Sequence, residues 1–137
     1  MSDLDRIGRA FASERCPKPS KVTTKKVPNR YEPEVFDEIQ SVSCVGFHVE
    51  VYRAGASGVP RELPMSVVVD RTQPGIPAVL SIGVPTASVR AELGPPARMH
   101  EGSLVYFLSA ERPGQDTIAF RIAGGKVREL LWGWDVD

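Results

Sequence analysis

Apolar and polar side chains alternate in several stretches of this 137-residue chain, and this alternation restricts its fold more than any other feature. Successive side chains of a strand point to opposite faces of a sheet, so a period of two predicts strands with one buried face. The chain also holds twelve prolines and twelve glycines, which favour many turns between short elements. We therefore expect strands at 42–53, 62–70, 104–108, 117–122 and 126–134, the first two paired antiparallel.

Two further segments carry the signals of helices. Ser2 opens a capping pair at the start of the first, whose apolar residues then recur with helical spacing. Pro17 ends this helix because proline disfavours helical backbone in the residue before it. The second helix is predicted to begin at Pro85 and to stop at Gly94, which two prolines follow.

These signals predict one α+β domain over residues 1–137, a mainly antiparallel sheet with two short helices. A helix followed by strands occurs twice, near 3–71 and near 85–134. The expected segments are an N-terminal helix at 1–16, a basic proline-rich loop at 17–34, a first strand region at 35–84, and a helix with a three-stranded meander at 85–137.

Charge is spread unevenly along the chain, although its net charge is zero. Residues 1–30 hold eight basic and three acidic residues, and the remainder holds nine basic and fourteen acidic ones, so an arm of +5 precedes a body of −5. The arm lacks aromatic side chains between its lysines that would stack on bases, so we expect no nucleic acid as partner and interpret the arm as a solvated connector. Whether the basic 15–30 segment is functional is left open. The acidic body suits a protein partner with a basic surface.

The sequence leaves the compartment open. It has no stretch of 18 apolar residues, so no membrane span is expected. The first residues lack the apolar core of a signal peptide, which indicates a cytoplasmic protein as written, or a periplasmic one if an upstream signal peptide was removed. Cys16 and Cys44 lie 28 residues apart. They would form a disulfide in an oxidising compartment and stay as two buried thiols in a reducing one.

Motifs for catalysis are absent from the sequence. It has no nucleophile elbow, no phosphate-binding loop and no dinucleotide fingerprint. Cys44, His48 and Glu50 share one face of the strand predicted at 42–53 and are the only candidates for a metal site or a general base. Positions four apart on a straight strand are separated by about 13 Å, too far for one ion to bind both. We interpret this face as half-exposed and polar, and predict no enzymatic activity, no metal and no cofactor.

The last strand contains both tryptophans of the chain, and a purely structural role explains them less well than it explains the other residues. Trp132 and Trp134 share one face, and aspartates follow them directly. Tryptophan is enriched at the centres of protein interfaces, but such a pair also suits the core. The predicted partner-binding residues are Trp134, Trp132, Tyr106, Asp135 and Asp137. The mid-strand position of Trp132 favours the core, so Trp134 is the better contact candidate.

A family resemblance covers the second half of the chain, over about residues 83–134. A short helix ends in LGPP, two strands contain LVY and IAF, and a turn reads GGKV. This succession resembles a module of small bacterial cell-envelope and immunity-type proteins, in the outer-membrane lipoprotein and beta-lactamase-inhibitor-like group. The matching positions are Leu93, Gly94, Pro95, Leu104, Tyr106, Ile118, Phe120, Gly125, Lys126 and Val127. The resemblance implies a sheet whose face binds another protein, without catalysis and without a cofactor.

The function predicted from these observations is non-enzymatic protein binding, as an inhibitor or immunity-type partner of another bacterial protein. The absent catalytic motifs, the acidic body and the tryptophan-rich last strand favour it. The alternative is a structural component of the bacterial cell envelope that docks to a larger assembly. The chain lacks the lipobox of the lipoproteins that it resembles, and its oligomeric state is left open.

Overall fold

The computed structural model describes residues 2–29, 31–32, 34–55, 61–111 and 114–135. Its helices are α1 (Ser2–Glu14) and α2 (Thr86–Leu93), and a single 3-10 turn spans Ala78–Leu80. Its strands are β1 (Lys21–Pro28), β2 (Phe36–Cys44), β3 (Phe47–Ala54), β4 (Arg61–Val69), β5 (Arg98–His100), β6 (Ser103–Phe107), β7 (Thr117–Ala123) and β8 (Lys126–Gly133). The strands form one antiparallel sheet in the order β1-β2-β3-β4-β8-β7-β6-β5.

The predicted α+β fold, a mainly antiparallel sheet with two short helices, is thus confirmed, as is the antiparallel pairing of β3 with β4. Each helix precedes a group of strands in the chain, as the repeated helix-then-strands pattern predicts. The two groups do not form separate units, however, because β4 pairs with β8. That pairing joins both halves in one sheet and places the last strand among the central strands.

The basic segment predicted as a loop at 17–34 contains a strand, so that prediction is wrong for residues 21–28. β1 pairs with β2 along its whole length of eight residues. Its side chains are exposed on both faces apart from half-buried Val27. A strand that buries neither face needs no apolar alternation, and the sequence pattern therefore does not indicate it.

The strand predicted at 42–53 is divided in two. β2 ends at Cys44 and β3 begins at Phe47, with a tight turn of two residues between them. Gly46 has a φ of 84°, a left-handed conformation that glycine adopts without strain. The alternation predicts Val45 on the buried face, but Val45 lies at the tip of this turn and is 73% exposed.

The core lies on one face of the sheet, beneath both helices. Valines of β3 and β4 and large side chains of β6, β7 and β8 point into it, and each helix contributes apolar residues such as Leu4 and Val89. Trp132 is the largest side chain with almost no solvent contact. Burial of this apolar surface is the main driving force for folding, at roughly 25 cal/mol per Å².

Helix α1 approaches β8 most closely at Gly8. A Cβ atom on Gly8 would lie 2.5 Å from Cδ1 of Trp132, so only glycine allows this separation of helix and indole. The Nε1–H of Trp132 donates a hydrogen bond of 2.9 Å to the Leu4 carbonyl oxygen. The Nε1–H of Trp134 donates one of 2.8 Å to Oδ1 of Asp5. Both indole rings therefore fix the first helix to the last strand.

A β-bulge near the start of β8 changes which face of the sheet the first residues of this strand point to. The register shifts between Arg121 and Ile122 of β7, which leaves Arg128 as an extra residue in β8. Val127 consequently lies on the core side and is fully buried, whereas strict alternation predicts it beside Glu129 on the other face. Beyond the bulge, the predicted alternation holds to the end of the strand.

Candidate functional site

The aromatic residues predicted to contact a partner lie in the core. Trp132, Trp134 and Tyr106 are 1%, 7% and 4% exposed, and both indoles bond to α1, which covers this face. Asp135 is exposed just after β8, and Asp137 lies outside the described residues. The exposed aromatic surface that we expected is therefore not formed by these three rings. The side chains of β8 that a partner can reach lie on its other side.

The opposite face of the sheet carries no helix among the described residues. Side chains alternate along β8, so Leu131 and Gly133 point away from the core that contains Trp132. Both α-helices bury their apolar side chains on the Trp132 side. We call the face that bears Leu131 and Gly133 the open face.

A row of registered side chains crosses the open face along all eight described strands. Each strand pair places two of its members directly opposite each other. From the β1 edge to the β5 edge, the members are Lys21, Ser43, His48, Val68, Leu131, Ala119, Val105 and Arg98. Four members are apolar: Val68, Leu131 and Ala119, which are half-buried, and Val105, which is 4% exposed and therefore buried. These four form what we call the apolar strip. It extends roughly 15 Å across the sheet, given the spacing of strands, and polar or basic groups border both of its ends.

A second row beside the apolar strip has small side chains at its centre. Ser66, Gly133 and Thr117 stand opposite one another on β4, β8 and β7. A Cβ atom on Gly133 would have Oγ1 of Thr117 as its nearest neighbour, at 3.9 Å. Phe107 continues the row on β6, and Glu50 continues it on β3. The centre of the open face is therefore a shallow depression with hydroxyl groups, which a side chain of another protein can fill.

Serine, histidine and glutamate side chains meet at the polar end of the open face. Oγ of Ser43 lies 2.8 Å from Nδ1 of His48, and Nε2 of His48 lies 3.8 Å from Oε1 of Glu50. Cys44, predicted on this face, lies on the core side instead, because the tight turn pairs it with Phe47. Only the pairing of β2 with β3 brings Ser43 to His48, so the sequence pattern does not indicate Ser43.

These three side chains are those of a hydrolytic triad, but their surroundings differ from those of a hydrolytic site. Acyl transfer needs N–H donors directed at the developing oxyanion. The strands β2 and β3 each have a neighbour on both sides, so their backbone donors are directed within the sheet. His48 and Glu50 are also 39% and 40% exposed, as expected for a half-exposed polar face. Within the described ranges, no group of three or more His, Cys, Asp or Glu side chains is arranged to hold a metal ion.

A buried carboxylate near the loop between β1 and β2 is a polar site that the sequence pattern does not indicate. Asp37 is 1% exposed and accepts hydrogen bonds from the Tyr52 hydroxyl (2.5 Å), the Asn29 side-chain amide (2.9 Å) and the Gly55 backbone amide (3.3 Å). The Tyr52 hydrogen bond holds the pKa of Asp37 below its ordinary value, against the opposing effect of burial. The same hydrogen bond raises the pKa of Tyr52. One carboxylate thus fixes this loop to the end of β3.

Acid is expected to weaken the fold through Asp37, and Asp37→Asn is expected to remove that part of the pH dependence. The pKa of Asp37 in the folded chain lies below its ordinary value of 3.8. Its contribution to stability is therefore fully present above about pH 4 and is lost as the pH falls through the lower folded pKa. Chemical denaturation of both proteins from neutral pH down to about pH 2.5 measures this. Parallel stability curves for the two proteins would contradict the role of Asp37.

An exposed apolar residue, Val45, lies at the tip of the β2–β3 turn. The disulfide between Cys16 and Cys44, whose Cα atoms are 6.1 Å apart, joins the end of α1 to the end of β2. The Gln73 side chain donates a hydrogen bond of 3.2 Å to the Val45 carbonyl oxygen. An open groove of about 400 Å³ beside this tip is lined by both cysteines, Val45 and Phe47. Single exposed apolar side chains are ordinary on protein surfaces, so the exposure of Val45 is not by itself evidence of a binding site.

Comparison of the chain with protein-family models, with curated proteins and with solved structures gives no match. The resemblance to the outer-membrane lipoprotein and beta-lactamase-inhibitor-like group therefore stays a prediction. Neither α-helix in the described parts of the chain is long and apolar enough to cross a membrane.

Proposed function

We propose that this chain is a non-enzymatic protein-binding domain, and that the open face of its sheet contacts another protein. The apolar strip is the observation that carries this proposal. The class of partner that we favour is a bacterial protein which the chain inhibits or to which it confers immunity. The alternative is a structural component of the cell envelope that docks to a larger assembly through the same face.

The composition of the open face supports binding. When one face of an antiparallel sheet is solvated, its residues are ordinarily polar. At the centre of the open face, four successive strands instead place Val68, Leu131, Ala119 and Val105 in one row, in which the first three are half-buried and Val105 is buried. An apolar surface with a polar border is typical of sites that contact other proteins.

The rigidity of the open face also supports binding. The strands that carry the apolar strip, β4, β8, β7 and β6, each have a neighbouring strand on both sides. The core packs against the back of the same strands, with Trp132 at its centre. A rigid surface loses little conformational entropy when it binds, so more of the contact energy is available for affinity.

Gly133→Phe tests the proposal because it fills the depression on the open face without entering the core. The nearest atom to a Cβ at this position is 3.9 Å away, and the backbone of Gly133 is outside the left-handed region, so the variant is expected to fold. Immobilised wild type is used to capture partners from an extract of the source cells, and each captured protein is identified by mass spectrometry. Gly133→Phe is expected to weaken capture of the true partner by about tenfold or more.

Ala87→Phe is the matched control, since it adds the same ring to an exposed position of α2, away from the open face. It is expected to capture the partner as the wild type does. The proposal fails if both variants capture it equally well. A partner that arrives as part of a large assembly favours the structural alternative, and a single partner in a stoichiometric complex favours inhibition or immunity.

A further inference from the structure

β1 forms an edge of the sheet and pairs on one side only. The backbone N–H of Asn29, just after β1, donates a hydrogen bond of 2.8 Å to the carbonyl oxygen of Val35, just before β2. The backbone groups of Asn29 therefore face the β2 side. Backbone groups of an antiparallel strand face the same neighbour at every second residue. Val22, Thr24 and Lys26 lie an odd number of residues from Asn29, so their N–H and C=O groups point away from the sheet. Pro28 belongs to the same set, where its missing N–H breaks no sheet hydrogen bond.

The same edge is strongly basic. Lys18, Lys21, Lys25 and Lys26 lie on or just before β1, and all four are exposed. None of the ion pairs among the described residues includes any of these lysines. Lysines on an edge strand discourage unselective pairing with other strands. Here they also place positive charge beside unpaired backbone groups, with Glu38 opposite Lys26 but no acidic residue opposite Lys21 or Lys25.

We propose that β1 binds an extended acidic segment of a partner protein, which adds to the sheet as a further strand. The outward backbone groups of β1 would bind the backbone of the segment, and the lysines would select its acidic side chains. Lys21 and Lys25 lie four residues apart and point to the open face. Side chains that face them on an added strand have the same spacing, so the segment carries two acidic residues four positions apart.

Charge argues against a second copy of this chain as the occupant. Two β1 strands placed side by side bring lysines close to lysines in either orientation, and like charges across strands are destabilising. An acidic segment neutralises the edge instead and widens the open face by one strand. This inference goes beyond the binding proposed for the apolar strip and does not depend on it, because the edge and the strip use different groups.

The test uses the whole chain and a synthetic peptide of about ten residues with two glutamates four positions apart, valine and threonine filling the other positions. Amide hydrogen exchange measured by NMR is expected to show new protection at Val22, Thr24 and Lys26 when the peptide binds. A control peptide with the same charge and a central proline cannot complete the strand pairing and is expected not to bind.

Three variants separate strand addition from general charge attraction. Lys21→Glu combined with Lys25→Glu is expected to weaken peptide binding by about tenfold or more. Lys126→Glu combined with Arg128→Glu makes the same change in net charge at exposed positions of β8 and is expected to leave the affinity unchanged. Thr24→Pro removes one outward N–H while it spares the hydrogen bonds to β2, and it is expected to abolish binding. Circular dichroism confirms that each variant is folded.

Unchanged exchange at Val22, Thr24 and Lys26 would overturn the proposal. Equal binding of the proline-containing peptide, or equal affinity of the two charge-reversed variants, would overturn it as well. Gly133→Phe is expected to bind the peptide normally. Failure at the β1 edge is therefore distinguishable from failure of the binding proposed for the open face.

Discussion

Replacing Trp132 with alanine is expected to lower the free energy of unfolding by about 3–5 kcal/mol, the range for truncation of a buried aromatic residue. The side chain is 1% exposed, and its Nε1–H donates a hydrogen bond to the Leu4 carbonyl oxygen. Its removal leaves a cavity beneath α1, where Gly8 now contacts the indole. Denaturation by urea, followed by circular dichroism, measures the loss.

Two further variants make this result interpretable. Val45→Ala is the control, because Val45 is 73% exposed, and it is expected to change the free energy of unfolding by less than about 0.5 kcal/mol. Trp132→Phe keeps an aromatic ring but removes the indole donor to the Leu4 oxygen, and the lost hydrogen bond is expected to cost about 0.5–1.5 kcal/mol. If Trp132→Ala costs no more than Val45→Ala, the indole is not a core residue and our assignment of the two faces of β8 is wrong.

Removal of the Cys16–Cys44 disulfide is expected to lower the free energy of unfolding by about 3–4 kcal/mol, from the entropy of closing its loop in the unfolded chain. The two cysteines are separated by 28 residues, and the bond joins the end of α1 to the end of β2. Cys16→Ser combined with Cys44→Ser, studied by chemical denaturation, measures the effect.

The reduced wild type is the internal control for the disulfide. Reduction is expected to lower the stability of the wild type to about that of the double serine variant and to leave the variant unchanged. A wild type that is equally stable with and without reductant would show that the cross-link does not stabilise this fold.

Features that depend on local backbone preferences are predictable from this sequence. Helix α2 follows Pro85 and ends at Gly94, as the stop signal predicts, and the positive φ of 79° at Gly94 is one that glycine adopts without strain. Alternation along the last strand likewise assigns Leu130, Trp132 and Trp134 to one face, and all three are buried. In each case the cause lies within a few residues of the feature.

Features that depend on pairing between distant segments are not predictable in this way. β1 is extended because it pairs with β2, and its sequence shows no alternation of apolar and polar residues. The extra residue Arg128 moves Val127 to the core side, which no local signal marks. Asp37 collects its hydrogen bonds from Asn29, Tyr52 and Gly55, and their spacing in the sequence has no regularity.

The candidate binding surface illustrates the same limit. Alternation places Trp132 and Leu131 on opposite sides of β8, but it does not tell which side α1 covers. Enrichment of tryptophan at interfaces favours the aromatic side as the contact surface. In the folded chain α1 covers that side, because its apolar stripe requires a large apolar partner, and the side with half-buried Leu131 carries no helix among the described residues. Helix α1 and the two tryptophans bury each other's apolar surface, and α1 also accepts the hydrogen bonds of both indoles.

The affinity of the identified partner for Gly133→Phe tests the central claim most directly. Calorimetric titration of the purified partner compares this variant with the wild type and with Ala87→Phe, after thermal unfolding has shown that all three are folded. We expect Gly133→Phe to bind about tenfold or more weakly, and Ala87→Phe to bind as the wild type does. Equal affinity of all three proteins would contradict the claim that the open face is the binding surface.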